Sequence, residues 1–410
     1  MIRLTREEKK QLGILIKYYR QAMYRSRIAN RSDFTQRNFA RGICSQAQLS
    51  RIENGEPVRD HELYGRLIHK LRLPFERLRY RDVHLFDELV KNLIEYQNRS
   101  DKVIHFEKAK IQLLHFQRLF QNNIIYLHYT YALELVLHVL HEDYDEANTL
   151  CELVEETLEI LPPYLLIVTL QYLGKLYVYD QDELKAQMYF QLSLEHMLKK
   201  GIENPSIYLD LARNVIYLNQ DIRAREYLIE AEASFHSDPL NLLMLDYYYS
   251  IIYAKEGDYD ESIGNLINTL HRLEEYPYPI PRRKNKLIIS LVIMYILNGD
   301  LFNAREVLNR VPESRQTDVN HFLLAYLDDN FQKYNLFQRH YKQLASFYQN
   351  KERSRERYFE LNIAPHLFVY PYPLVLLILR DYYRYLKTNK KYKKALDLIE
   401  EYQVLNILLK

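Results

Sequence analysis

Apolar positions recur every three or four residues along most of this chain, the spacing of one buried face on a helix. Over residues 7–22, Leu12, Leu15, Ile16 and Tyr19 form such a stripe between charged positions. An Arg-rich connector (Arg25, Arg27, Arg31) leads to Asp33-Phe34-Thr35-Gln36-Arg37-Asn38-Phe39-Ala40-Arg41-Gly42. Asp33 or Thr35 suits the N-cap of a short helix, Phe39 and Ala40 face inward, and Gly42 ends it. Ser45 then caps a helix in which Leu49 and Ile52 face the core, and Asn54-Gly55 stops it. A helix from Asp60 to Leu71 and the segment Pro74 to Leu78 complete a compact unit. With 9 Gly and 13 Pro in 410 residues, turns are few and short, which favours tightly joined helices over strands. The pattern predicts an all-α chain.

Beyond residue 85 the pattern repeats. A small residue follows a short polar turn at Ala109, Ala147, Ala186, Ala224, Ser262 and Ala304, at intervals of 38, 39, 38, 38 and 42 residues. Asp143, Asp182, Asp258 and Asp300 each lie four residues earlier, placed to cap the helix. An aromatic stands nine residues before the small position at Tyr177, Tyr253 and Tyr295. These positions resemble the tetratricopeptide repeat, a helical hairpin of about 34 residues. The units here are longer, the chain has no Trp, and no copy carries the whole consensus. Residues 374–408 look like a last, weaker unit, and the register of 311–365 is not set by spacing. Such hairpins bury their apolar faces by stacking into a right-handed superhelix with a concave groove, which takes an extended peptide or a partner helix. Gln171, Lys175, Asp210, Arg213, Asn214, Tyr217 and Tyr247 are the candidate peptide-binding residues of that groove. Asn and Gln can satisfy a peptide backbone, and Lys or Arg a carboxylate.

Charge divides the chain in the same place. Residues 1–80 hold 18 Lys and Arg against 8 Asp and Glu, while the rest holds 38 against 46. A basic head on an acidic body fits a polyanion-binding module joined to something that does not bind polyanions. Two cysteines, Cys44 and Cys151, are too few and too distant for a disulfide framework or zinc knuckle. The first ten residues are charged, unlike a signal peptide, and the apolar run Leu287 to Leu297 is about half the ~20 residues a membrane span needs. A cytoplasmic protein without membrane contact is expected. No phosphate-binding Gly loop, HExxH helix or nucleophile elbow is present, so neither an enzyme nor a cofactor is expected. His138 and His141, near Glu142 and Asp143, imitate a metal site but fall at a helix end of the repeat framework, and no metal is expected.

The ordered set Thr35-Gln36, Phe39-Ala40 and Leu49-Ser50-Arg51-Ile52-Glu53-Asn54-Gly55 resembles the lambda-repressor-like (XRE) helix-turn-helix family at its expected spacing. A major groove admits one helix, whose N-terminal residues meet the base edges. Gln46, Ala47 and Arg51 fall opposite Leu49 and Ile52: Gln suits an adenine edge, Arg a guanine edge, and Ala a thymine methyl. Ser50, Asn54, Arg37 and Arg41 are candidates for the phosphate side, and Ser45 is a further DNA-binding candidate. The resemblance gives Gln36 a role in supporting the recognition helix and a backbone phosphate.

An XRE-type head followed by degenerate tetratricopeptide-like repeats resembles the Rap–Rgg–NprR–PlcR–PrgX (RNPP) regulators of Gram-positive bacteria. That resemblance implies a DNA-binding domain over 1–72, a linker helix over 73–90 and a repeat domain over 91–410 for ligand binding and dimerisation. It also implies a homodimer on a two-fold symmetric double-stranded DNA site, controlled by a short signalling peptide in quorum sensing. A repeat scaffold binding a protein partner, or a regulator without a peptide, is compatible with the same residues.

Overall fold

A computed structural model describes residues 4–26, 31–97, 102–202, 204–234, 239–275, 281–349 and 355–402. Arg27 of the basic connector and the end of the last expected repeat, 403–408, lie outside them. The described residues are helical, without a strand; an isolated bridge pairs Phe75 with Asn123. The chain divides into two compact units, Met1–Ile207 and Tyr208–Lys410.

The first unit begins with α1 (Arg6–Arg25), α2 (Gln36–Ala40), α3 (Gln46–Glu53) and α4 (His61–Lys70). Thr35 caps α2, and Ser45 caps α3 in a reciprocal box with Gln48. Leu12, Leu15, Ile16, Phe39, Leu49, Ile52, Tyr64 and Leu67 are fully buried together. At about 1.5–3 kcal/mol per large apolar side chain, this core holds the four helices to one another. The helices α1 and α3 approach so closely that a Cβ on Gly13 would stand 2.0 Å from the Ile52 carbonyl oxygen, so only glycine fits there.

The hairpins follow as α5 (Tyr80–Gln97) with α6 (Lys102–Phe120), α7 (Ile124–Leu140) with α8 (Tyr144–Glu156), and α9 (Pro163–Tyr179) with α10 (Glu183–Lys200). The stretch 73–90, read as a linker helix, contains the first half of α5. Just before it, residues 74–76 bond to 122–124: Glu76 N–H to the Asn122 carbonyl (2.7 Å) and Ile124 N–H to the Pro74 carbonyl (2.9 Å).

The second unit continues with α11 (Ser206–Tyr217) and α12 (Asp221–Ser234), α13 (Pro239–Lys255) and α14 (Tyr259–Glu274), and α15 (Pro281–Leu297) and α16 (Leu301–Leu308). Then come α17 (Asp318–Leu327), α18 (Arg339–Gln349), the short α19 (Arg355–Tyr358), α20 (Tyr372–Thr388) and α21 (Tyr392–Tyr402). Twelve of the seventeen residues of α20 are buried, because it packs against both α13 and α15.

All six small residues of the repeat pattern are buried, each at 0–1% exposure, on the second helix of a hairpin. Close crossing explains them: a Cβ on Gly174 of α9 would come within 2.5 Å of the Phe190 ring on α10. The hairpin turns share one construction. Glu142, Gln181, Asn219, Gly257 and Gly299 are left-handed, with φ between 57° and 84°. The next N–H in each bonds the carbonyl five residues back, as from Asp182 to Tyr177 at 2.9 Å and from Asp258 to Tyr253 at 2.9 Å. This is the Schellman closure, which satisfies carbonyls the helix end leaves open. It recurs at Asn330 to Ala325 (3.0 Å) and Lys391 to Leu386 (2.8 Å), which fixes hairpin turns in and after the stretch where spacing gave no register. Three of the four expected aspartate caps form, on Lys185, Glu261 and Asn303 N–H groups at 3.0, 3.2 and 3.0 Å. Asp143 does not cap α8; its carboxylate turns instead toward His138 Nδ1, 3.7 Å away.

Candidate functional site

The head presents one polar helix face on a buried frame. Gln46, Ala47 and Arg51 of α3 are exposed, while Leu49 and Ile52 on its other side are completely buried. Arg37, Arg41 and Asn54 are exposed around it, and Ser50 is half-buried. Ser45 is exposed at the start of α3, where its hydroxyl accepts from the Gln48 N–H at 3.1 Å.

The frame includes a buried charge pair whose second member, Arg20, the sequence pattern did not mark. Glu53, 2% exposed, accepts two bonds from the Arg20 guanidinium of α1, at 2.5 and 2.8 Å. Gln36 donates a third to it through Nε2 at 2.8 Å, and Arg20 also donates to the Phe34 carbonyl at 2.9 Å. The amide of Gln36 thus ties α2 to α3 within the head. Geometrically bidentate, hydrogen-bonded pairs of this kind tolerate burial; removing one partner strands the other. Arg51 Nε lies 2.8 Å from Glu56 in an exposed pair. Such a pair is worth little in water and is readily exchanged for another anion.

The opposite side of α1 is fastened to the repeats of the same unit. Gln11 Nε2 donates to the Tyr129 hydroxyl on α7 at 2.6 Å and to the Ile160 carbonyl at 2.9 Å. The Tyr19 hydroxyl stands 2.9 Å from His128 Nε2 on α7, and Arg25 pairs with Glu156 of α8 at 3.0 Å at the surface. His128 is 1% exposed, and burial alone lowers its pKa to about 4. Its ring is therefore neutral at pH 7 and shares one hydrogen bond with the Tyr19 hydroxyl, the direction of which the ring tautomer sets.

Of the groove candidates, Gln171 and Lys175 lie on α9 in the first unit. Gln171 is fully buried, donating to the Ser206 hydroxyl at 3.0 Å and accepting from Asn204 at 2.8 Å. Lys175 is half-buried, with Nζ 4.6 Å from the Tyr172 ring centroid. The others lie in the second unit, on α11 and α13. Asp210 and Arg213 are half-buried, Asn214 is fully buried, and Tyr247 is 3% exposed. Arg213 lies over the Tyr217 ring, 4.8 Å from its centroid, and Tyr217 packs edge-on to Tyr372 at 4.7 Å. Burial raises the Tyr247 pKa, the Tyr217 and Tyr248 hydroxyls add to the shift, and Arg213 opposes it. The second unit thus brings Arg213, Tyr217 and Tyr247 together.

Sequence reasoning missed Lys255 and Arg380, which carry polar structure in the second unit. Lys255 is buried; its Nζ reaches Asp221 at 2.5 Å and the Ile216 carbonyl at the end of α11 at 3.2 Å. Arg380 of α20, also buried, donates to the Ile296 and Leu297 carbonyls that end α15, at 3.0 and 3.3 Å. Neither fits a local motif. Among the described residues no cluster of three His, Cys, Asp or Glu could hold a metal, and no helix is long and apolar enough to cross a membrane.

No family model matches the sequence, and no curated protein matches it. Among solved structures, the chain is similar in fold to NprR in complex with its cognate peptide NprX. That match spans 79% of this chain and 100% of the other, with a TM-score of 0.51 and 13% identity. It extends the helical-repeat architecture beyond this one molecule.

Proposed function

We propose that this chain is a transcriptional regulator that reads double-stranded DNA with α3 and whose repeats take a short signalling peptide. The carrying observation is the exposed Gln46, Ala47 and Arg51 face, on a helix whose other side is tied down by Leu49, Ile52 and the Arg20–Glu53–Gln36 bonds. A rigid helix with base-matching side chains near its N-terminus is what major-groove readout requires. The basic balance of residues 1–80 supplies attraction to phosphates.

The peptide half of the reading draws on the repeats, on Arg213, Tyr217 and Tyr247 lying together, and on the fold shared with a protein solved with its peptide. A peptide acts by favouring one arrangement of the hairpins over another. The bonds from Gln11 and Tyr19 to α7 couple any shift of α7 to α1, and α1 packs on α3. The working form in this reading is a homodimer on a two-fold symmetric site in the cytoplasm. Selection of duplexes from a random pool by the full chain tests the proposal. Enrichment of a sequence with two related half-sites, abolished by Gln46→Ala with Arg51→Ala, is expected. A pool that stays random through successive rounds overturns it.

A further inference from the structure

Between the start of α15 and the connector from α16 to α17, the second unit holds a cavity of about 410 Å³. Its walls carry three cations: Lys284 from α15, and Arg310 and Arg315 from the connector. None of the described residues that line it is acidic. Lys284 is offset from outside the lining by Glu274, 2.7 Å from its Nζ. That bond, and more weakly the charges of His271 and Arg310, hold the Glu274 carboxylate below its usual pKa. Arg310 and Arg315 are exposed, and among the described residues no carboxylate forms an ion pair with either. A second cavity of this unit, between α17, α18 and α20, also holds two arginines, Arg355 and Arg384, but Asp329 and Asp381 share it and offset their charge. The cavity beside α15 keeps its positive field.

The rest of the lining is apolar or fixed from behind. Ile288 and Val311 are buried and, with Pro312, form an apolar side. Asn285 and Thr317 are held by Asn320, which is fully buried. Asn320 exchanges amide bonds with Asn285 at 3.1 and 3.2 Å and accepts from the Thr317 hydroxyl at 2.7 Å. With its proton directed to Asn320, the Thr317 oxygen is left as an acceptor for a ligand donor. Two guanidinium forks suit an anion with several oxygens and more than one charge. A phosphate monoester has both near neutral pH, whereas a carboxylate offers one charge and two oxygens. A cavity of this size takes a small molecule.

We propose that this cavity binds a small organic phosphate: Arg310 and Arg315 hold the phosphate, and Ile288, Val311 and Pro312 take its apolar body. None of the groove candidates lines the cavity, and the site requires no peptide. One wall is α15 and the other is the connector to α17, so an occupant links the two. It therefore raises the melting temperature as its concentration passes Kd.

Calorimetric titration of the full chain with phenyl phosphate, inorganic phosphate and benzoate at fixed ionic strength tests it, with thermal unfolding alongside. One variant is Arg310→Gln with Arg315→Gln. The other, Arg339→Gln with Arg357→Gln, removes the same charge from exposed positions of the unit outside the cavity. Phenyl phosphate is expected to saturate a single site and to raise the melting temperature. Inorganic phosphate should compete for that site and bind more weakly, for want of an apolar body. At unchanged helicity, the cavity variant should bind phenyl phosphate about tenfold more weakly or worse, roughly one charge-assisted contact. The charge-matched variant should stay within about twofold of wild type. Equal losses in the two variants reduce the effect to net charge and overturn the site, as does undiminished binding by the cavity variant or no binding by the wild type. Benzoate held as tightly as phenyl phosphate overturns the assignment to a phosphate.

Discussion

The α3 face and the surface around Tyr247 are built in different ways. On α3 the exposed side chains Gln46, Ala47 and Arg51 project from one helix, and the buried charge behind them, Glu53, is matched by three bonds from Arg20 and Gln36. Around Tyr247 the charged groups come from separate helices and rest on aromatic rings: Lys286 of α15 lies over Tyr247 of α13, and Arg213 of α11 over Tyr217. A duplex is a stiff ligand of fixed shape, so a helix that meets it gains from rigidity fixed in advance. A flexible ligand instead meets a surface assembled from several helices, whose spacing can change with their packing.

The contrast is sharpened first by removing the charge that fixes α3. Glu53→Ala strands the buried Arg20 guanidinium and is expected to destabilise the first unit by about 3–5 kcal/mol, measured by chemical unfolding. A loss below about 1 kcal/mol would mean that the pair is not what holds the helix. Next comes acid. The unfolded chain takes a proton on His128 near its ordinary pKa of 6.5, whereas the folded ring resists it down to about 4. The contribution is therefore complete above pH 6.5 and is lost as pH falls toward 4. The loss amounts to about 3 kcal/mol by the lower end. Unfolding curves between pH 7 and 4 should show this slope in the wild type and a shallower one in His128→Gln; parallel curves contradict it.

A smaller effect separates reading from folding. Gln46→Ala with Arg51→Ala is expected to weaken binding to the selected duplex by about 2–4 kcal/mol, since each base contact is worth about 1–3. Stability should move by no more than about 0.5 kcal/mol, because both side chains are exposed. A variant that binds normally, or one that unfolds, breaks the assignment. Smallest of all, Glu142→Gly removes a left-handed non-glycine residue from a hairpin turn (φ 63°). A gain of up to about 1 kcal/mol in the first unit is expected by thermal unfolding.

What was legible in the sequence was local. Ser45 to Gly55 encodes its own cap, core face and stop within eleven residues, and the structure gives each the expected place. The small residues of the repeats were equally readable, since close helix crossings recur at fixed intervals. What could not be read depends on distance along the chain. Gln11 and Tyr129 are 118 residues apart, and Tyr19 and His128 are 109 apart. Lys255 and Arg380 have no motif of their own; their partners lie on other hairpins, Lys255 with the Ile216 carbonyl and Asp221, and Arg380 with the Ile296 and Leu297 carbonyls. Gln171 and Asn214 show the reverse error of scale: polar residues on a first helix suggest a groove, but both are fully buried. Asp143 had the right spacing for a cap, yet a neighbouring histidine drew its carboxylate away.

The salt dependence of binding to the duplex selected from a random pool, measured with wild type and with Gln46→Ala plus Arg51→Ala, tests the reading helix most directly. The wild type should show log K falling linearly with log salt, with a slope of about −0.9 for each phosphate neutralised. The double variant should keep most of that slope, because the exposed Arg37 and Arg41 remain, while losing its preference for the selected sequence over a scrambled one. Equal preference in the two proteins, or no salt dependence in either, contradicts the account.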